Sequence, residues 1–161
     1  MKDLIFTIPK SKHNKEDLFR IFKEHPEIKF VSIVVIDLSG NDTDEKIPSR
    51  LFLDDIDSFL NGVAIQTDGS SVVLPGIATL NDAKVDMIAD LNANWFVDYN
   101  YDHIDPFTNK PIGTLRIPSF LIHNNKSVCS RNILTSAINT FKSTLLDIFK
   151  NKPKTLKPFE I

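Results

Sequence analysis

The sequence predicts an α+β fold, a mixed sheet packed against helices, on three observations. Residues 28–38 carry the β-branched run Val31, Ile33, Val34, Val35 and Ile36, too apolar for a half-exposed strand and suited to the centre of a sheet. Residues 14–25 and 130–149 carry apolar side chains at helical spacing, each behind a capping residue. Between them, short apolar stretches alternate with turn-forming residues.

In chain order, residues 2–8 read as a short strand closed by Pro9. Asn14 caps the first helix, Glu16 and Asp17 suit its positive end, Leu18, Phe19, Ile21 and Phe22 form its apolar face, and Pro26 stops it. Ser39-Gly40-Asn41-Asp42 is a turn, and residues 46–52 are expected to return as a second strand, with Pro48 near an edge. Residues 53–60 read as a short helix closed by Asn61-Gly62. Residues 67–77, with Asp68-Gly69-Ser70-Ser71 and Pro75-Gly76, have loop chemistry. Residues 85–90 and 94–97 are short strand candidates, 99–111 a long turn, and 113–123 a strand interrupted at Pro118. Ser130 caps a helix whose face is Ile133, Leu134, Ala137, Ile138, Phe141, Leu145 and Ile148. The tail, residues 150–161, has two prolines and four lysines and reads as a linker.

Composition sets the class. At 161 residues, with 42% hydrophobic and 25% charged side chains, the chain is one domain with a core of ordinary size. A net charge of -2 argues against a dedicated nucleic-acid binder, which needs a basic surplus. The single Cys129 cannot form an internal disulfide, no apolar run reaches membrane-span length, and the start lacks a signal-peptide layout, so a cytoplasmic location is expected. Twelve Phe against two Tyr is read as core filling. His103 beside Asp102 and Asp105 resembles part of a metal site, but a solvated loop is the simpler reading, and Cys129 has no histidine nearby to make it a nucleophile. Five dispersed glycines form no phosphate-binding loop.

One stretch is more specific. Asp68-Gly69-Ser70-Ser71 follows Ile28-Lys29-Phe30-Val31, Ile36-Asp37, a Gly-containing turn and Lys46-Ile47-Pro48, and precedes Asp86-Met87, Ala89-Asp90 and Ser130-Arg131. In this order the chain from residue 28 to 149 resembles the amino-terminal domain of the glutamine synthetase family. That resemblance implies a β-grasp fold over residues 28–149, an extension over 1–27, and a linker over 150–161 toward a missing catalytic domain. It implies an ATP-dependent ligation of ammonia to glutamate in the parent protein, with Mg or Mn, and no cofactor held by this chain. It places Asp68 as the residue that attracts ammonium and takes its proton, with Ser71 beside it in substrate binding. The partners implied are the chain's own catalytic domain and neighbouring subunits of a homo-oligomer, with ammonium at their interface and no nucleic acid or membrane.

The role suits the chemistry. Ammonia, not ammonium, is the nucleophile, so a carboxylate that concentrates the cation and then accepts a proton does general-base work. The sequence departs from the family at Thr67, where an aromatic is common, and at Val72-Val73-Leu74-Pro75-Gly76, where the family often has Gly-Gly-Trp-Lys. These changes leave open a γ-glutamyl ligase for another amine, although such relatives often lose the acid that Asp68 keeps. A non-catalytic β-grasp interaction module is the other alternative.

Overall fold

The computed structural model of the chain describes residues 3–63, 65–68, 84–124 and 126–150. Its architecture is α+β, a β-grasp-like mixed sheet packed against helices. The main sheet runs β1 (Thr7–Ile8), β6 (Trp95–Asp105), β7 (Lys110–His123), β2 (Ile28–Ile36), β3 (Asp42–Pro48). A side branch adds β5 (Lys84–Ala89) to β7, β4 (Ile65–Asp68) to β5, and β8 (Lys126–Ser127) to β7. The helices are α1 (Lys15–Glu24), α2 (Ser49–Asp54), α3 (Ile56–Leu60) and α4 (Ser130–Lys150). No helix among the described residues is long and apolar enough to cross a membrane.

The β-branched run forms the sheet's centre. β2 lies parallel to β7 on one side and antiparallel to β3 on the other, with Val31, Ile33 and Val35 buried on the core face. The hairpin that follows is built by Asp37, whose Oδ1 accepts the backbone N–H groups of Ser39 (2.8 Å) and Asn41 (2.9 Å), while Gly40 takes φ +86°. The turn is complete by Asn41, so pairing restarts at once with Asp42 opposite Ile36. The return strand is therefore earlier than residues 46–52, and its alternating exposed polar residues suit an edge. Phe52 belongs to α2 and is fully buried, in ring contact with Phe22 (5.9 Å), Phe59 (5.0 Å) and Trp95 (6.5 Å).

The α1 start follows its cap: Asn14 Oδ1 accepts the Asp17 N–H at 2.9 Å. Leu18, Ile21 and Phe22 enter the core together with Ile8 of β1, so residues 7–24 share the sheet's core. The expected long turn over 99–111 is instead strand up to Asp105, a turn at 106–109 with Asn109 at φ +55°, and β7 from Lys110. Beyond Val97, β6 pairs among the described residues only with β7, because β1 reaches only Trp95 and Phe96; Asp98, Asn100, Asp102 and His103 are exposed along this edge and so look like loop. Pro118 does not interrupt β7. Pairing with β2 ends at Pro118 and pairing with β5 begins at Ser119, so the missing N–H falls where the strand changes neighbours, and the Pro118 carbonyl accepts the Asp90 N–H at 2.8 Å.

Candidate functional site

Asp68 is the last residue of β4, in register with Lys84 of β5. It is preceded by Thr67, buried and opposite Val85, and by Gln66, whose Nε2 donates to Asp86 Oδ1 at 3.3 Å. β5 is fixed in turn by β7, with Asp86 opposite Ile122 and Met87 opposite Leu121. Val85, Met87 and Leu121 are fully buried, so this ladder anchors Asp68's backbone to the core. Thr67 and Asp68 were expected in a loop, but their pairing with Val85 and Lys84 makes them strand. Ser71 and the rest of the expected loop, residues 69–77, lie outside the described residues.

The structure joins two other markers that the sequence leaves 41 residues apart. The Arg131 guanidinium, in the first turn of α4, donates through Nη2 to Asp90 Oδ2. Asp90 is nearly buried; its Oδ1 accepts the N–H groups of Asn92 (2.9 Å) and Ala93 (3.2 Å), and its carbonyl accepts Trp95 Nε1 at 3.1 Å. Arg131 also lies over the Phe120 ring, 4.9 Å from its centroid, with Nη1 buried and without a hydrogen-bond partner. Ser130 Oγ donates to the Ile36 carbonyl at 3.3 Å. The root of α4 is thus bound to the ends of both β5 and β2.

A buried ionic cluster, which the sequence did not announce, stands at the other end of β2. Glu27 is fully buried; its Oε1 accepts from Lys110 Nζ at 2.9 Å and meets His25 Nδ1 at 3.2 Å, while Oε2 is buried and unpartnered. Burial acts to raise the Glu27 pKa, but the Lys110 and His25 contacts with a backbone hydrogen bond outweigh it and hold the carboxyl below its ordinary range. Burial and the Glu27 charge together push the Tyr99 hydroxyl up to about 12. Lys29 pairs with Asp105 at 3.2 Å, and Asp105 Oδ2 accepts from Thr108 Oγ1 at 2.8 Å, which lowers the Asp105 pKa. These pairs clamp the β6–β7 turn to the start of β2. Their only sequence signal is Glu27 set between Pro26 and an apolar strand, and its partner lies 83 residues away.

Asp105 is therefore engaged in capping its own turn and pairing Lys29. Among the described residues no three His, Cys, Asp or Glu side chains come together as a metal would need. Cys129 is fully buried, with Sγ 3.6 Å from Ser127 Oγ. His13 stacks on Trp95 at 3.8 Å, and burial lowers its pKa against the raising effect of the Leu91 and Ile8 carbonyls.

No protein-family model matches the chain, and no curated protein does. Among solved structures, the chain is similar to GmaS in complex with ADP, with a TM-score of 0.52 and 19% identity over 79% of this chain and 26% of that one. A ligand-free GmaS structure aligns over 66% of this chain and 21% of that one, with a TM-score of 0.43 and 20% identity. The chain spans about a quarter of the length of the structures it matches. Its fold is that of a domain resembling part of GmaS.

Proposed function

We propose that this chain is the amino-terminal β-grasp domain of a glutamine-synthetase-like ligase, which joins an amine to the γ-carboxyl of glutamate at the expense of ATP. The observation that carries this reading is the fold shared with part of GmaS, a glutamine synthetase-like γ-glutamylmethylamide synthetase. The motif order leading to Asp68-Gly69-Ser70-Ser71 supports it independently.

In this reading the rest of the parent protein holds ATP and the divalent metals, and this domain lends one acid to a neighbouring subunit's active site. Asp68, at the end of a strand anchored to the core, concentrates the ammonium cation and accepts its proton as the amine attacks. Ser71 completes the amine-binding loop. Residues 150–161 lead toward the catalytic domain, and residues 1–27 form an extension to the family's domain. The parent works in the cytoplasm as a homo-oligomer. The GmaS likeness favours one second reading, a parent that uses a larger amine than ammonia.

The isolated 161-residue chain is expected to form no glutamine from ATP, glutamate and ammonium; turnover by the chain alone overturns the assignment. Grafted in place of the corresponding quarter of GmaS, the domain is expected to support glutamate-dependent ADP release. Competition between ammonium and methylamine in that chimera separates the two amine readings.

A further inference from the structure

The strands that bury Val31, Ile33, Leu115, Ile117, Val97 and Tyr99 in the core present their alternate residues on the sheet's other face. Arg116 of β7 stands there beside Ser32 of β2, which in turn pairs with Lys46 of β3; Thr114 stands beside Asp98 of β6. β6 is irregular at one point. Between the pairs Asn100–Ile112 and Ile104–Pro111 it inserts Tyr101, Asp102 and His103 with no residue opposite on β7, and Asn100 Oδ1 accepts the Asp102 N–H at 3.0 Å. This bulge borders a cavity of about 490 Å³, lined among others by Lys46, Asp98, Asn100, Asp102, Thr114 and Arg116.

The charged groups of this cavity are not closed on one another. Arg116 lies between two carboxylates, with Nη1 3.9 Å from Asp98 Oδ2 and Nη2 3.8 Å from Asp42 Oδ2, beyond hydrogen-bond distance of either. Lys46 Nζ lies over the Phe30 ring, 4.9 Å from its centroid, and meets no carboxylate among the described residues. By contrast, Lys110 of the buried cluster closes on Glu27 at 2.9 Å. We propose that the cavity binds a free α-amino acid. Such a ligand carries a carboxylate and an ammonium on one carbon, the complement of the adjacent guanidinium and carboxylate of Arg116 and Asp98. The ligand carboxylate accepts from the Arg116 fork, with Lys46 in the same row of the sheet adding positive charge, and the ammonium donates to Asp98 and Asp102 on β6. Asn100 Nδ2 and the Thr114 hydroxyl, which bond no other described residue, are left for a polar side chain. A simple anion fits worse, because Asp42, Asp98 and Asp102 stand beside the cations. A metal ion finds no three ligating side chains together among the described residues. The binding does not depend on any ligase activity.

Titration of the 161-residue chain with L-asparagine tests it, followed by backbone amide NMR shifts, with Trp95 fluorescence reporting that the body is folded. Saturable shifts are expected at residues 46, 98–102 and 114–116. The dissociation constant is expected on the order of millimolar for so open and polar a site. Acetate and methylammonium, each one half of the head group, are expected to bind at least about tenfold more weakly. Arg116→Met and Asp98→Asn are each expected to weaken asparagine binding about tenfold or more, while Lys142→Met on α4 leaves it unchanged. If Arg116→Met unfolds the body, Asp98→Asn decides. The absence of saturable shifts at about 100 mM asparagine overturns the proposal. So do acetate shifts equal to those of asparagine, or asparagine binding that survives Asp98→Asn in a folded chain.

Discussion

Phe52 and Phe141 illustrate two fates for the same side chain. Phe52 in α2 is fully buried and touches Phe22, Phe59 and Trp95, whereas Phe141 in α4 is mostly exposed. Both belong to apolar helical stretches, and α4's pattern is the longer and more regular. A helical apolar stripe states that a face needs cover; it does not state what covers it. The sheet body covers Phe52 and its ring neighbours, while α4 carries apolar surface that the described part of the chain leaves open. The phenylalanines do not all follow that division: Phe6, Phe96 and Phe107 lie outside α4 and are exposed, as Phe141 is, so these four are not core filling.

The contrast is sharpest in stability. Phe52→Ala is expected to destabilise the body by about 3–5 kcal/mol in urea unfolding, from lost burial and the cavity left behind. Lys110→Met is expected to cost a similar amount, about 3 kcal/mol or more, because it strands the buried Glu27 carboxylate without its cation. Gly113→Ala comes next, at about 1–3 kcal/mol. An added methyl there would stand 2.9 Å from the Tyr99 ring and 3.2 Å from Val97, both fixed in the core. Phe141→Ala is expected to shift the body's unfolding by no more than about 0.5 kcal/mol when measured on the monomer. A large Phe141 effect there would mean that α4 packs on the body.

The pH response separates the groups further. His13 has a folded pKa below its ordinary 6.5, so its contribution is present above 6.5 and is lost as pH falls through the lower folded value. Glu27 has a folded pKa below 4.5, so its contribution is present above 4.5 and is lost at still lower pH. Melting temperature is therefore expected to drop in two stages on acidification. His13→Asn should flatten the first stage and Glu27→Gln the second.

Much of the fold was legible in the sequence. The Asn14 cap, the buried β2 and the span of α4 follow from local chemistry, which acts within a few residues. The register of β3, the strand character of residues 99–105 and the passage of β7 through Pro118 were not legible. Each depends on which strand lies alongside, and local pattern carries no such information. The same holds for the site. Asp68, Asp90 and Arg131 could each be picked out by order along the chain, but the Asp90–Arg131 bond is a product of tertiary structure. Glu27 left only the faint trace of its place between Pro26 and an apolar strand, and Lys110 left none, because each reads as an ordinary surface charge until the other is placed beside it.

The central claim is that this domain lends an acid to an amine-ligating site. It is tested most directly in the GmaS chimera by measuring ADP release with glutamate and saturating amine, with and without Asp68→Asn, in assemblies of the same size. Removing the carboxylate is expected to lower turnover by about 10²–10⁴-fold with nucleotide binding unchanged. An assembled Asp68→Asn chimera that turns over at the parent rate would contradict the account.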